Sequence, residues 1–243
     1  MPTLYVPILG RLGNILFQVA HALKWCEQNH HTLCMWPWMG EQVFQIPQCA
    51  RPNQSKPDVI WGEKNMCQHQ KDLNYTRADV KKWFAWKPEV LEKLRKIDTQ
   101  SHPFVLNVRQ ASDCLETDLP MLSDECYRQA AQKFGYDANR CHWEKDTNPT
   151  RLDDFPGDPD GCGRGTSWCC IPSFYRLQQA PVLFRAASTF SWWAATLGAG
   201  RVYSPIIRDI QGGTPNQFCD NFVEGNWPAM TNHPDNSDLH LQP

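Results

Sequence analysis

Several signals that would assign this sequence to a common class of protein are missing from it. Its first nine residues carry neither a positively charged segment nor a long apolar core, which argues against a secretory signal. No stretch approaches the run of about 18 apolar residues that a membrane-spanning helix needs. Basic and acidic residues nearly balance, 24 against 26, and the absence of a basic run argues against nucleic acid as the main partner. We therefore expect a cytoplasmic protein.

The eleven cysteines lack the spacing of a metal site. A structural zinc site uses close C-x-x-C pairs or histidine equivalents, and no C-x-x-C spacing occurs in this sequence. Cys162, Cys169 and Cys170 form the closest group, so a metal site there is the alternative. We expect instead reduced thiols that pack as small apolar side chains.

A strand, a glycine-containing turn and a helix are predicted at the start of the sequence. Residues 4–9 form an apolar run of strand length, and residues 16–23 repeat apolar side chains at helical spacing. Between them, Gly10 and Gly13 let the backbone approach a ligand closely, and Asn14 is a candidate helix cap. The complete G-x-G-x-x-G pattern of dinucleotide-binding proteins is absent. The turn is therefore either a binding loop or a tight structural connection.

The stretch with the strongest character of a binding site runs from residue 185 to residue 205, and an apolar run over 181–186 leads into it. It predicts a strand, a hydroxyl-rich turn, a helix and a further strand. Ser188 and Thr189 offer hydroxyls that cap the helix, and Gly198 lies where a left-handed residue ends it. Backbone N–H groups at such a helix start, beyond the end of a strand, hold phosphate in α/β proteins.

A third candidate group follows a strand predicted in the second half of the chain. Arg109 ends this strand, and Asp113 lies four residues further on. An arginine at the carboxyl end of a strand is well placed to hold a diphosphate through two parallel hydrogen bonds.

Further along, Asp158 and Asp160 form a D-x-D pattern, which binds a divalent metal with a nucleotide sugar in one class of transferase.

The remaining patterns indicate two α/β domains and a tail. The polar segment 98–103 is the best candidate for a domain boundary. It separates an N-terminal domain, residues 1–98, from a nucleotide-binding domain, residues 103–205, and an irregular tail follows over 206–243. Residues 40–71 are expected to form loops, and further helices are predicted over 76–97, 123–134 and 174–179. Thr76 and Asp79 have the spacing of a capping box at the start of the first of these helical segments.

Three separated segments resemble the α-1,2-fucosyltransferase family (glycosyltransferase family 11). GRLGNILFQVA, residues 10–20, is similar to the family's G-G-x-G-N-Q-x-F-Q-x-A, and STFSWWAATL, residues 188–197, is similar to its S-x-F-S-W-W-A/G-x-x-L. LNVRQASDC, residues 106–114, occupies the place of the family's H-x-R-R-G-D-Y. Arg109 then matches the first arginine, and Asp113 matches the aspartate when one residue is inserted.

The resemblance implies an α/β, GT-B-like fold, in which two small Rossmann-like domains with parallel sheets face each other across a cleft. The N-terminal domain, residues 1–98, would lie on the acceptor side, and the domain over 103–205 would bind the nucleotide sugar. It implies an inverting transfer of fucose from GDP-fucose to a glycan hydroxyl, without a cofactor or an essential metal. Arg109 would neutralise the leaving diphosphate, and Asp113 would act as the base, with Asp153 and Asp154 as alternatives. The donor-binding residues would be Gly10, Gly13, Asn14, Arg109, Ser188, Thr189, Phe190 and Ser191.

Two other functions stay open. A transferase for another nucleotide sugar would use a metal at Asp158 and Asp160, and EDTA would then abolish its activity. A non-catalytic descendant of a transferase would bind a nucleotide or a glycan without turnover. The expected partners are a nucleotide sugar and a glycan, not nucleic acid.

Overall fold

The computed structural model describes residues 1–53, 56–61, 75–109, 122–155, 168–205 and 222–226. The chain divides into two compact units. The first is built mainly on Met1–Arg95, and the second on Lys96–Phe155 and the stretch that begins at Cys170. Each unit contains a sheet of parallel strands, so the predicted α/β class is confirmed.

A three-stranded parallel sheet with the order β2-β1-β3 forms the centre of the first unit. Its strands are β1 (Thr3–Tyr5), β2 (Thr32–Cys34) and β3 (Val59–Ile60). Tyr5 pairs with Cys34 on one side and with Ile60 on the other, so the three strands end at the same level. β3 lies in a segment that was expected to be loop, because two residues are too few to show a strand pattern.

Four helices belong to the first unit: α1 (Leu12–Asn29), α2 (Gly40–Val43), α3 (Arg77–Trp83) and α4 (Pro88–Leu94). The apolar face predicted for α1 is buried, as expected. At the start of α3, the Thr76 hydroxyl accepts a hydrogen bond from the Asp79 N–H at 3.1 Å, and the Asp79 carboxylate accepts from the Thr76 N–H at 2.8 Å. This reciprocal pair is the capping box that the sequence predicts.

The second unit contains a five-stranded sheet with the order β5-β4-β6-β7-β8. Its strands are β4 (Val105–Val108), β5 (His142–Lys145), β6 (Val182–Phe184), β7 (Arg201–Pro205) and β8 (Phe222–Glu224). The first four strands in this order are parallel, and β8 is antiparallel to β7. Its helices are α5 (Asp124–Lys133), α6 (Cys170–Gln179) and α7 (Thr189–Leu197). Side chains of α5 pack with Phe104, Leu106, Phe184 and Tyr203 in one apolar core.

Gly198 ends α7 for a different reason from the predicted one. Its φ and ψ are −77° and 176°, which is extended backbone rather than the left-handed conformation. A Cβ atom at this position would lie 2.5 Å from the Gln178 carbonyl oxygen. Glycine is therefore required because the end of α7 approaches the backbone of α6 closely.

The state of the cysteines corrects one expectation. Cys126 and Cys169 are disulfide-bonded, although reduced thiols were expected throughout. The described free cysteines are Cys26, Cys34, Cys49, Cys141 and Cys170. Burial raises the pKa of the Cys26 and Cys170 thiols to about 12, so both are protonated and unreactive at neutral pH.

Two further findings concern metal and membrane. The described residues contain no group of three His, Cys, Asp or Glu side chains that could hold a metal ion. Cys162 lies outside the described residues, so the predicted alternative at Cys162, Cys169 and Cys170 is not tested as a set. Within the described ranges, no helix combines the length and the apolar character needed to cross a membrane.

Loss of the disulfide at Cys126 should destabilise the protein. Cys126→Ala is expected to lower the free energy of unfolding by about 2–5 kcal/mol, because the cross-link restricts the unfolded chain. Denaturant unfolding of the variant and of the wild type, with and without a reducing agent, measures the effect. Cys141→Ser, at a partly buried free thiol, is the matched control and should change stability little. Equal stability of the oxidised and reduced wild type would contradict a structural role for the bond.

Candidate active site

The strand order of the second unit creates a crevice at the carboxyl ends of β4 and β6. The connection after β4 leads to β5 on one side, whereas the connection after β6 leads to β7 on the other side. The two strands are neighbours, with Leu106 opposite Phe184. In open α/β sheets, ligands bind at the carboxyl ends of strands whose connections diverge in this way.

Two of the predicted groups meet at this edge of the sheet. Arg109 directly follows β4 and is partly buried, and Ser188 lies four residues after β6. The two segments leave adjacent parallel strands at nearly the same level, because Leu106 and Phe184 are in register. The fold thus places an arginine and a hydroxyl-rich helix start at one crevice.

The helix start at Ser188 is built as the sequence predicts. The Ser188 hydroxyl accepts a hydrogen bond from the Ser191 N–H at 3.2 Å, and the Ser188 carbonyl accepts one from the Trp192 N–H at 3.1 Å. Thr189 and Phe190 are the first two residues of α7 and are partly buried. Amides in the first turn of a helix have no acceptor inside it and carry partial positive charge. This turn therefore suits an anion such as a phosphate.

The backbone groups of Ala186 hold the turn in place. Its N–H donates to the Asn107 side chain at 3.3 Å, and its carbonyl accepts from the Arg185 guanidinium at 2.9 Å and from the Ser191 hydroxyl at 2.8 Å. Asn107 also donates to the Glu144 carbonyl of β5 at 3.2 Å. Ser191, a predicted donor-binding residue, is fully buried, and its hydroxyl serves this network. In this structure the Ser191 side chain therefore shapes the turn.

Arg185 places a buried positive charge beside the turn. Its side chain is 1% exposed, and its Nε donates to the Ser204 hydroxyl at 2.8 Å. Burial lowers the pKa of the guanidinium, because the charged group loses its water there. The retained charge adds to the positive potential at the helix start and favours an anionic ligand. Arg185 was not among the predicted site residues, although it is the single cation in the apolar run over 181–186.

In the first unit, Gly10 and Asn14 shape the turn between β1 and α1. Gly10 has a φ of +83°, and a Cβ atom there would lie 2.6 Å from the Asn14 Nδ2. Asn14 was predicted as the helix cap, but the cap is Arg11, which forms no side-chain capping bond. Asn14 and Gly13 lie instead within the first turn of α1. Asn14 thus packs against the glycine and does not begin the helix.

The Gln18 side chain holds the same turn through hydrogen bonds, and it was not among the predicted site residues either. Its Nε2 donates to the Leu9 carbonyl at 2.7 Å, and its Oε1 accepts from the Leu9 N–H at 3.2 Å. The side chain is buried on α1 among apolar neighbours. A lone glutamine on the apolar face of a predicted helix is the signal that could have indicated this role. The loop after β1 is thereby held at a fixed position.

The candidate bases are less well defined. Asp113 lies outside the described residues, as do Asp158 and Asp160, the metal ligands of the alternative transferase. Asp153 and Asp154 follow β5, and the Asp154 carboxylate accepts a hydrogen bond from the Lys96 ammonium at 2.6 Å. The base therefore stays a prediction.

Glu144 is a buried carboxylate whose hydrogen bonds connect β5 with the loop after it and with α6. It accepts from the Thr150 N–H at 2.7 Å, from the Ser173 hydroxyl at 2.7 Å and from the His142 ring at 3.0 Å. The Arg176 guanidinium lies 3.8 Å away. Burial acts to raise the pKa of Glu144, but the hydrogen bonds outweigh it and hold the pKa below its usual value. The group is therefore ionised in the folded protein.

Comparison with known proteins shows a likeness in fold alone. No protein-family model matches the chain, and no curated protein matches it in sequence. The structure is similar to that of NodZ alpha-1,6-fucosyltransferase co-crystallized with GDP, with a TM-score of 0.51 and 11% identity over 83% of this chain and 94% of that chain. The enzyme soaked with GDP-fucose gives a TM-score of 0.51 and 10% identity over the same shares.

A further structure, fucosyltransferase NodZ from Bradyrhizobium, has a TM-score of 0.50 and 11% identity, again over 83% of this chain and 94% of that chain. These likenesses confirm the predicted GT-B-like fold class. Family 11 itself finds no support in them.

Acid should remove the stability that Glu144 contributes. Because its pKa is lower in the folded than in the unfolded chain, the contribution is present above the ordinary value of 4.5 and is lost as the pH falls through the folded value. Glu144→Ala is expected to lower the free energy of unfolding at pH 7 by about 3 kcal/mol and to flatten its dependence on pH between 5 and about 3. Urea unfolding across this range measures both effects. Glu125→Ala, at an exposed carboxylate of α5, is the control and should keep the wild-type pH profile.

Proposed function

We propose that the chain is a glycosyltransferase that transfers fucose from GDP-fucose to a hydroxyl of a glycan acceptor, with inversion. The observation that carries this proposal is the position of Arg109 and the Ser188 helix start at the divergent strand ends β4 and β6. Solved fucosyltransferases of similar fold, one co-crystallized with GDP and one soaked with GDP-fucose, support the donor. The resemblance of residues 188–197 to the family 11 segment supports the same donor.

The chemistry of such a transfer fits the charges at this edge. As the bond from fucose to the diphosphate breaks, positive charge develops on the sugar ring and negative charge on the departing GDP. Arg109 would neutralise the terminal phosphate, and the first amides of α7 would hold the phosphate oxygens. Arg185 would contribute through its field, because its guanidinium is buried and bonded to Ser204 and to the Ala186 carbonyl. Loss of one such stabilising group costs on the order of 100-fold in rate.

The acceptor hydroxyl needs a base as it attacks. A carboxylate serves this purpose when it lies within hydrogen-bond reach of the hydroxyl. We propose Asp113 for this role, with Asp153 as the alternative, since Asp154 is paired with Lys96. The positive groups supplied by the protein take the place of a metal at the diphosphate, so we propose a metal-independent reaction.

The disulfide-bonded cysteines Cys126 and Cys169 indicate the kind of compartment in which the protein is found. Cys126 and Cys169 require conditions in which disulfides form and persist. We therefore propose a compartment that permits disulfides in place of the cytoplasm. A cell fractionation experiment that found the protein only with reduced cysteines would contradict this part of the proposal.

Calorimetric titration with GDP, GDP-fucose and UDP tests the donor. We expect GDP and GDP-fucose to bind in the presence of EDTA, and Arg109→Ala to weaken GDP binding at least tenfold while the melting temperature stays near the wild-type value, because a charged pair to phosphate is lost. Arg140→Ala, at an exposed arginine beyond α5, is the matched control and should bind GDP normally.

Three outcomes would overturn parts of the proposal. Wild-type affinity in Arg109→Ala would remove this residue from the site. A preference for UDP, or a need for metal, would favour a different transferase that uses Asp158 and Asp160. Tight GDP binding without turnover on any glycan would favour a non-catalytic binding protein.

Ser188 should affect both stability and donor binding. Ser188→Ala is expected to lower the free energy of unfolding by about 1 kcal/mol, because α7 loses its cap. GDP affinity should fall by a larger factor than this destabilisation alone explains, since the helix start also holds phosphate. Ser123→Ala removes the corresponding serine cap of α5 and should cost similar stability without weakening GDP binding. Equal effects of both variants on GDP binding would assign Ser188 a structural role only.

A further inference from the structure

Trp36 is an exposed tryptophan at the carboxyl end of β2. Its side chain is 51% exposed, although the residues immediately before and after the Trp36-Pro37 pair are buried. Among the described residues, the other large apolar side chains with high exposure are Met1 and Ile60. Ile60 is the last residue of β3, so two of these three lie at the strand ends that flank β1.

The loop that carries Trp36 is fixed on both sides. Arg51 donates to the Met35 carbonyl at 3.1 Å and also pairs with the Glu41 carboxylate at 2.9 Å. Trp38 packs on Gly40 so closely that a Cβ atom there would lie 2.1 Å from the indole ring.

The backbone of Trp36 itself is constrained by its neighbour. Pro37 follows it directly, and a proline disfavours the helical region for the residue before it. The ring of Trp36 is therefore presented to solvent from a backbone with little freedom, and a ligand that binds it has little ordering to impose.

A second tryptophan at the same edge behaves differently. Trp61 directly follows β3, and its ring packs on α1, with centroids 5.0 Å from His21 and 6.0 Å from Trp25. Trp36 has no ring contact and no side-chain hydrogen bond with any described residue. At this edge the Trp61 indole packs against α1, whereas the Trp36 indole is exposed to solvent.

The position of Trp36 links it to the turn of Gly10 and Asn14. The Val6 N–H donates to the Cys34 carbonyl at 3.0 Å, so β1 and β2 end side by side. Trp36 comes two residues after Cys34, while the loop held by Gln18 leaves the neighbouring strand β1. Both segments lie at the carboxyl edge of the sheet, where α/β proteins bind ligands.

We propose that Trp36 is a stacking platform for a sugar ring of the glycan acceptor; this assignment rests on the proposed function. One face of a pyranose such as galactose presents C–H groups, which pack on an indole while the hydroxyls point to solvent or to polar groups. The chemistry of the loop favours a neutral sugar over a nucleotide diphosphate. Arg51, which bonds to the Met35 carbonyl of this loop, is paired with Glu41, whereas Arg109 and the start of α7 in the second unit offer the groups that suit phosphate.

Saturation-transfer NMR with lactose and N,N′-diacetylchitobiose as probes tests this proposal, because it detects sugar binding without turnover. The wild type should transfer saturation to one face of a sugar ring, in the presence of GDP. Trp36→Ala should weaken this binding by about tenfold or more, and Trp36→Phe should retain most of it. Trp143→Ala removes a partly buried tryptophan of β5, stacked with Arg128 and Lys145, and is the matched control that should bind both sugars normally.

The outcomes separate this proposal from the one on which it rests. Binding of neither sugar to the wild type, or equal binding to the wild type and Trp36→Ala, would overturn the role of Trp36. GDP titration of the same samples reports on the donor site and should be unchanged in Trp36→Ala. Failure of the wild type to bind GDP would overturn the proposed function, whatever the tryptophan does. Unchanged thermal unfolding of Trp36→Ala, expected for an exposed side chain, excludes misfolding as the cause of lost binding.

Discussion

A backbone N–H or carbonyl that is buried must find a partner, and the site at the end of β6 depends on how this is achieved at Ala186. Leaving one such group unpaired costs about 1–3 kcal/mol. The partners come from Asn107 in the neighbouring strand β4, from Arg185 directly after β6, and from Ser188 and Ser191 at the start of α7. The turn before α7 therefore keeps its shape only while these elements stay together, which makes the helix start a rigid feature of the second unit.

The sequence predicts the elements that carry strong local signals. The Thr76 capping box, the Ser188 cap and the apolar face of α1 all depend on residues close in sequence, and the structure contains each of them. β5 and β8 were missed because their sequences, HWEK and FVE, lack a clear pattern. They become strands by pairing with β4 and β7, which are distant in sequence. The end of α7 was misread for a similar reason, since the close approach of α6 to Gly198 is a tertiary contact.

In the candidate site, too, residues with a local sequence signal were predictable, and residues whose role depends on distant partners were not. The positions of Arg109 and Ser188 could be predicted because each follows a recognisable strand, and the two lie at one sheet edge because those strands are parallel neighbours. Arg185 and Gln18 were not found, because a polar residue within an apolar segment has a purpose only when its distant partners are known. The bonded state of Cys126 and Cys169 also escaped prediction, since the spacing of cysteines in sequence does not determine which of them meet in space.

The antiparallel strand β8 is the edge strand on one side of the five-stranded sheet. Just beyond it, the Asn226 side chain donates to the Trp192 carbonyl at 3.0 Å and bonds to the Thr196 hydroxyl at 2.9 Å, so the segment is also fastened to α7. A protein shortened at the end of β7 would leave the backbone of Tyr203–Pro205 unpaired on this side, and such an edge is a template for aggregation. Residues 222–226 thus replace a five-residue edge strand with a three-residue one, which offers a shorter template to another chain.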